Sequence, residues 1–220
     1  MEKMTPVEII DRMEKLFPDA RCELVHRNTY EMAVAVILSA QTTDISVNRV
    51  TPALFEKYPD IALLAAAEQS DVEGLIASLG LYRNKARSII SFAKGVMDQY
   101  GGTIPQTMEE LVTLSGVGRK CANVILSECF GIPSLAVDTH VSRVSKRLGL
   151  CYKNDTPEVI ERKLKKKIPE DRWIRTHHTM IFFGRYMCHA RRPACTNCPF
   201  KGFCREKEKN LNPVRQSGVV

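Results

Sequence analysis

Residues 111–138 read LVTLSGVGRKCANVILSECFGIPSLAVD, and this stretch decides how the rest of the chain is understood. Thr107 followed three residues later by Glu110 is a capping pair, so a short helix is expected from there to about Leu114. Gly116 and Gly118 break it. A second helix is expected to open at Gly118 or Arg119 and to run to about Phe130, where Gly131 and Pro133 stop it. The product is a helix-hairpin-helix. Between its helices the backbone N–H groups of Gly116, Val117 and Gly118 are free to point outward, as an anion-binding concavity at a helix N-terminus requires, and a DNA phosphate would fit there. A plain αα-hairpin without a ligand has the same local signature, so the turn alone does not separate the two.

Lys120 falls in the first turn of the second helix, where the macrodipole disfavours a cation by roughly 0.3–1 kcal/mol. A stability-driven sequence would put Asp or Glu there. On a helical wheel Lys120, Asn123 and Ser127 form a polar stripe, while Cys121, Ile125 and Cys129 form a separate apolar row. A helix N-terminus also activates thiols, which makes Cys121 a rival nucleophile unless it is packed. Asp138 precedes Thr139, His140 and the periodic segment VSRVSKRLGL, so it is expected to cap the next helix. Capping explains an Asp without further function. It is also compatible with catalysis, because N–H donors keep a carboxylate ionised and suited to stabilising positive charge.

Outward from this centre the chain reads as helical, with no persuasive period-two strand. Thr5, Pro6 and Glu8 start a helix to about Phe17, and Asn28 with Glu31 starts YEMAVAVILSA, apolar nearly all round and expected to be a buried central helix. Its end, LSAQTTD, is a polar cluster beside a core element, with Asp44 expected to cap the next helix and Pro52 to restart or kink it. Ser70 and Glu73 open a further helix that ends at Gly80. GLYRNKA then reads as a loop with an apolar tip, Leu81, and Arg83, Lys85 and Arg87 placed beside it for phosphates. Beyond Asp138, helices are expected at about 139–148, 157–168 and 171–187, with Trp173, His177 and His178 as core and surface residues.

The chain of 220 residues carries a formal charge of +7, unevenly distributed. Residues 1–133 hold 13 Lys/Arg against 17 Asp/Glu, and residues 134–220 hold 19 against 8. A basic C-terminal half suits a polyanion, although the run Arg162, Lys163, Lys165, Lys166, Lys167 also reads as a solvated helix face. No stretch approaches the roughly 18–20 apolar residues of a membrane span, and the first residues lack a signal-peptide core, so a cytoplasmic protein is expected. Eight cysteines in a reducing compartment argue for metal ligation where they cluster. Cys188, Cys195, Cys198 and Cys204 lie within 17 residues, interrupted by Pro193, Pro199 and Gly202. Such a loop fits a tetrahedral zinc or a [4Fe–4S] cluster, and its single C-x2-C pair is unusual for zinc. Cys22 and Cys151 read as packing residues.

LSGVGRKCANVIL followed by AVDTH resembles the helix-hairpin-helix and catalytic aspartate of the endonuclease III family, the bifunctional DNA glycosylase/lyases of base-excision repair. The cysteine spacing is similar to that family's iron–sulfur loop residue for residue, which implies a [4Fe–4S] cluster rather than zinc. The resemblance implies Lys120 as amine nucleophile and Asp138 as its essential carboxylate. LSAQTTD and GLYRNKA resemble the family's two DNA-intercalating loops, with Gln41 filling the gap left by an extruded nucleotide and Leu81 wedging the opposite strand. On the family pattern His189, Arg191 and Arg192, between the first two cysteines of the loop, would reach DNA phosphates. Implied too are an all-α fold of discontinuous domains, a six-helix barrel over 21–133 and a cluster domain joining 1–20 to 134–209, with a tail over 210–220. The expected partner is double-stranded DNA containing damaged bases or abasic sites, met by a monomer. One departure is Cys121, where the family more often has Thr. Two rivals remain at this stage: a monofunctional mismatch glycosylase, which Lys120 argues against, and a non-catalytic DNA-binding module, which the combination of Lys120, Asp138, Gln41 and Leu81 argues against.

Overall fold

The computed structural model describes residues 4–211, so the tail expected over 210–220 lies outside the described residues from 212 onward. In chain order the helices are α1 (Pro6–Leu16), α2 (Thr29–Leu38), α3 (Asp44–Lys57), α4 (Ile61–Ala65), α5 (Gln69–Leu75), α6 (Tyr82–Tyr100), α7 (Met108–Leu111), α8 (Arg119–Phe130), α9 (Thr139–Arg147), α10 (Pro157–Lys167) and α11 (Trp173–Tyr186). Two short 3-10 turns, Glu170–Arg172 and Cys195–Asn197, complete the inventory, and the described residues contain no strand. None of these helices is long and apolar enough to cross a membrane. The chain divides into two compact units, with breaks between Arg21 and Cys22 and between Ser134 and Leu135.

The 22–134 unit is built around α2. Every residue from Tyr30 to Leu38 is buried, as its all-round apolar sequence demands, and Asn28 fixes its start by accepting from the Glu31 N–H at 2.9 Å. Helices α3, α6 and α8 pack on it, and α4 and α5 pack on α6. Three boundaries differ from the sequence reading. Thr43, not Asp44, caps α3, because its hydroxyl accepts from the Ser46 N–H at 3.2 Å. That helix continues through Pro52 without a restart. Asp60 accepts from the Leu63 N–H at 2.8 Å and opens the single-turn α4, while α5 begins at Gln69 with no side-chain cap instead of at the Ser70–Glu73 pair.

In the other unit α1 and α9 pack on α11, and α10 packs on α9. Ile10, Met13, Val141, Leu164, Met180 and Phe183 lie in one core cluster. The close approach of α9 and α11 depends on Gly184, where a Cβ would stand 2.8 Å from that of His140. Arg172 ties the start of α11 to α1 through Asp11 at 2.7 Å and Glu14 at 3.0 Å. Part of the basic run on α10 is engaged within its own unit: Lys163 meets Asp155 at 2.6 Å, Lys165 meets Glu161 at 3.0 Å, and Lys167 donates to the Leu150 carbonyl at 2.5 Å. His177 and His178 are both buried, so neither is a surface residue.

Candidate functional site

The hairpin forms between α7 and α8 as its glycines require. Thr107 caps α7 by accepting from the Glu110 N–H at 3.3 Å, and its hydroxyl donates to the Glu110 carboxylate at 2.7 Å. The helix ends at Leu111, one turn earlier than its sequence suggests, because the chain then tightens into turns that bring Val117 N–H to the Leu114 carbonyl at 3.1 Å, so the Val117 N–H does not point outward as expected. Gly116 has φ +76, and a Cβ there would stand 3.0 Å from Ile37 Cγ2 and 3.2 Å from Ser88 Cβ. Only glycine fits both the backbone and the space. Gly118 is the N-cap of α8 with φ −85 and open space around it. Val117 is buried between two exposed glycines, pinning the turn to the core while leaving its tip in solvent.

Lys120 lies exposed in the first turn of α8, and among the described residues it has neither a hydrogen bond nor an ion pair. The polar stripe expected along this helix is only partly a surface: Asn123 and Ser127 are buried, and the Asn123 carbonyl accepts from the Ser134 hydroxyl at 2.7 Å. Cys121 and Cys129 pack against the core beside the buried Ile125, as the apolar row predicts. Burial raises the Cys121 thiol, which weakens it as a nucleophile. Cys129 is pushed up to about 12 by the same cause. Cys22 is partly buried against the same core, and Cys151 is buried in the core of the other unit.

Asp138 is the N-cap of α9 and accepts from the Val141 N–H at 2.8 Å. The residues before it are held from α11, since His177 Nδ1 makes a hydrogen bond to the Ala136 carbonyl at 2.8 Å. No local pattern in the chain signals that contact. Lys120 belongs to the 22–134 unit and Asp138 to the other.

Three non-glycine residues among those described have left-handed backbones: Gln41 at φ 54, Leu81 at φ 60 and Arg192 at φ 49. All three are residues that the sequence reading assigned to DNA. A left-handed leucine or glutamine costs on the order of 1–3 kcal/mol and is retained where function demands the shape. Leu81 is 59% exposed at the N-cap of α6, so an apolar side chain projects from a strained position with nothing to cap the helix. The GLYRNKA segment is therefore not a loop; α6 begins at Tyr82, and RNKA forms its first turns. Lys85, expected beside phosphates, is instead buried and donates to the Thr42 hydroxyl.

The four clustered cysteines, Cys188, Cys195, Cys198 and Cys204, line one cavity with Phe183 and Met187. None of them is in a disulfide. Among the described residues no three His, Cys, Asp or Glu side chains are spaced to share one metal ion. Four thiols lining one cavity are a donor set that fits an iron–sulfur cluster. The surroundings supply donors to sulfur, with Arg147 Nη1 at 3.3 Å from Cys188 Sγ and the Glu206 N–H at 3.4 Å from Cys204 Sγ. Burial pushes the Cys198 thiol up to about 11 and raises that of Cys204, so iron binding must release their protons. Arg191 and Arg192, between the first two ligands, are exposed.

Comparison with known proteins agrees with this geometry. Residues 34–170 match the HhH-GPD superfamily of base excision DNA repair proteins, and residues 188–204 match the iron–sulfur binding domain of endonuclease III. Endonuclease III of Bacillus subtilis (strain 168) is 50% identical over 200 residues, 91% of each chain. That of Escherichia coli (strain K12) is 40% identical over 212 residues, 95% of this chain and 99% of its own. A solved structure of a trapped endonuclease III–DNA covalent intermediate, 51% identical, superposes with a TM-score of 0.89 over 92% of this chain and 97% of that one. A thermostable thymine-DNA glycosylase at 22% identity shares the fold, with a TM-score of 0.81 over 91% of this chain and 95% of that one.

Proposed function

The chain belongs to the endonuclease III family, which makes it a base-excision-repair DNA glycosylase with lyase activity, and we propose that Lys120 is its amine nucleophile and Asp138 the carboxylate that serves it. The observation that carries this reading is Lys120 itself, an exposed and unpaired amine at a helix start that disfavours cations, directly after the hairpin. A base within a duplex is out of reach, so the damaged nucleotide, an oxidised or otherwise altered pyrimidine, is first extruded. Gln41 fills the space it leaves and Leu81 separates the opposite strand. Their strained, exposed backbones support these roles. The N–H groups of Gly116 and Gly118 hold a backbone phosphate, and Arg191 and Arg192 contact others.

Lys120, as the free amine, attacks the sugar C1′ while the bond to the base breaks and the base leaves with the electron pair. Asp138, whose carboxylate caps α9, stabilises the positive charge that develops on the sugar. Ring opening gives an iminium between Lys120 and C1′. That iminium acidifies the C2′ proton; its removal expels the 3′ phosphate by β-elimination and leaves a nick. When bound, the [4Fe–4S] cluster supplies a core for a segment too small and polar to fold alone. Cys188, Cys195, Cys198 and Cys204 would hold it, and the protein would act as a cytoplasmic monomer on double-stranded DNA.

Borohydride reduces the iminium to a stable amine, so enzyme, damaged duplex and borohydride together should yield a covalent protein–DNA adduct. Lys120→Gln should abolish trapping and nicking while leaving binding to damaged duplex within about tenfold, roughly 1.4 kcal/mol. Efficient trapping by Lys120→Gln would assign the chemistry to another amine.

A further inference from the structure

Lys85 is a buried lysine for which the reaction above has no use. It is 6% exposed, and among the described residues its ammonium has no carboxylate within ion-pair distance and one hydrogen-bond partner, the Thr42 hydroxyl. Desolvation holds its amine below the ordinary lysine range, with no neighbouring charge to offset the burial. An ammonium buried against a single neutral oxygen opposes stability, and a methionine of similar length would fill the same space without that cost. A reason beyond packing is needed.

Its neighbours supply one. Lys85 lies in the first turn of α6, and its N–H donates to the carbonyl of Leu81 at 3.0 Å, the left-handed residue that opens the helix. Its ammonium reaches Thr42, the residue after the left-handed Gln41. The Thr42 N–H donates to the Ser39 carbonyl at 3.1 Å and its hydroxyl to that of Ala40 at 3.4 Å, so the turn is bonded on both sides of Gln41. One turn beyond Lys85, Ser88 packs where the Cβ of the hairpin residue Gly116 would be. Lys85 thus links the turn that carries Gln41, through its ammonium on Thr42, to Leu81, through its backbone N–H, on an element that also seats the hairpin.

We propose that Lys85 is a positioning residue that bridges the Gln41 turn to the Leu81 helix start, fixing the spacing at which the two side chains enter the duplex together. Leu81 is fixed by its helix, but Gln41 sits on a short turn whose bonds are local, and the ammonium is its tie to α6. A methionine cannot donate that bond, which is why an apolar residue does not serve. The assignment rests on the reading that Gln41 and Leu81 penetrate the helix.

The test uses the full chain with its cluster and two duplexes carrying the same lesion, one with the lesion paired and one with it already unpaired in a small bubble. Lys85→Met should melt no lower than the parent, yet process the paired lesion at least tenfold more slowly in single turnover and the bubble lesion within about twofold. Thr42→Val removes the acceptor from the other side and should give the same selective loss, and the double variant should be no worse than either single one, as one shared bond requires. Leu81→Gly separates the two ideas. If it loses activity selectively on the paired lesion and Lys85→Met and Thr42→Val do not, Lys85 has no positioning role. If Leu81→Gly shows no such selectivity, the penetration reading itself is wrong. A fall of about one unit in the log–log salt slope of Lys85→Met would make the residue a phosphate contact and overturn the proposal.

Discussion

Arg147 Nη1 stands 3.3 Å from Cys188 Sγ, and the same guanidinium donates to the His189 carbonyl at 2.8 Å and meets Glu206 at 2.9 Å. The last turn of α9 therefore grips both ends of the cysteine loop, at its first ligand and just beyond its last. A main-chain bond from the Arg205 N–H to the Arg147 carbonyl at 2.7 Å adds to this hold. Four residues earlier Arg143 donates to the Cys188 carbonyl at 2.9 Å and to that of Gly184 at 2.8 Å.

Removal of the guanidinium leaves the His189 carbonyl, the Ala190 carbonyl at 3.4 Å and a ligand sulfur without their charged donor. Arg147→Ala should cost roughly 2–3 kcal/mol of stability and lower the iron and sulfide recovered per chain, since charged hydrogen bonds of this kind are worth about 1.5–3 kcal/mol together with the penalty of unmet acceptors. Arg147→Lys keeps the charge but not the fork, and should recover less than half of the loss. Metal analysis beside a thermal melt checks both. Full cluster content and an unchanged melt in Arg147→Ala would mean that the loop holds itself.

Much of this arrangement was legible in the chain because helix ends carry local signals. Thr5–Glu8, Asn28, Thr107 and Asp138 each announce a helix start through a side chain that meets the backbone three residues on, and each does so in the structure. The start of α6 was not legible, because Leu81 caps nothing and its left-handed backbone has no residue-type signature. Lys85 was misplaced for a related reason. Among Arg83, Lys85 and Arg87 the sequence shows three equivalent cations, and only the register of a helix that begins at Tyr82 turns the middle one into the core. The links from His177 to Ala136 and from Arg147 to Cys188 span 41 residues each, a separation at which no local pattern operates.

The two hairpin glycines look alike in sequence and should respond differently. Gly116→Ala forces a Cβ onto a backbone at φ +76 and against Ile37 Cγ2 at 3.0 Å, so it should lose about 1–3 kcal/mol of stability and loosen the turn. Gly118→Ala meets nothing within 4 Å at an ordinary φ and should lose only the difference between glycine and alanine as N-cap, roughly half a kcal/mol or less. Denaturant melts of the two variants provide the comparison. Equal losses would show that the turn adjusts freely and that packing on Ser88 does not hold it.

Asp138 has two separable duties, and substitution can distinguish them. Its carboxylate caps α9 through the Val141 N–H at 2.8 Å, and its negative charge is what the sugar cation would require. Asp138→Asn keeps an oxygen at the cap and removes the charge, so stability should stay within about 0.5 kcal/mol while turnover falls by at least a hundredfold, the scale of removing one electrostatic stabiliser. Asp138→Ala removes both and should lose about 1 kcal/mol more, chiefly by fraying the start of α9. Duplex binding should survive in either variant, because the carboxylate makes no favourable contact with a polyanion and its loss reduces repulsion. A melt, a binding titration and a single-turnover assay on each protein separate the duties. If Asp138→Asn turns over normally, the charge is not used, and Asp138 is a helix cap and nothing more.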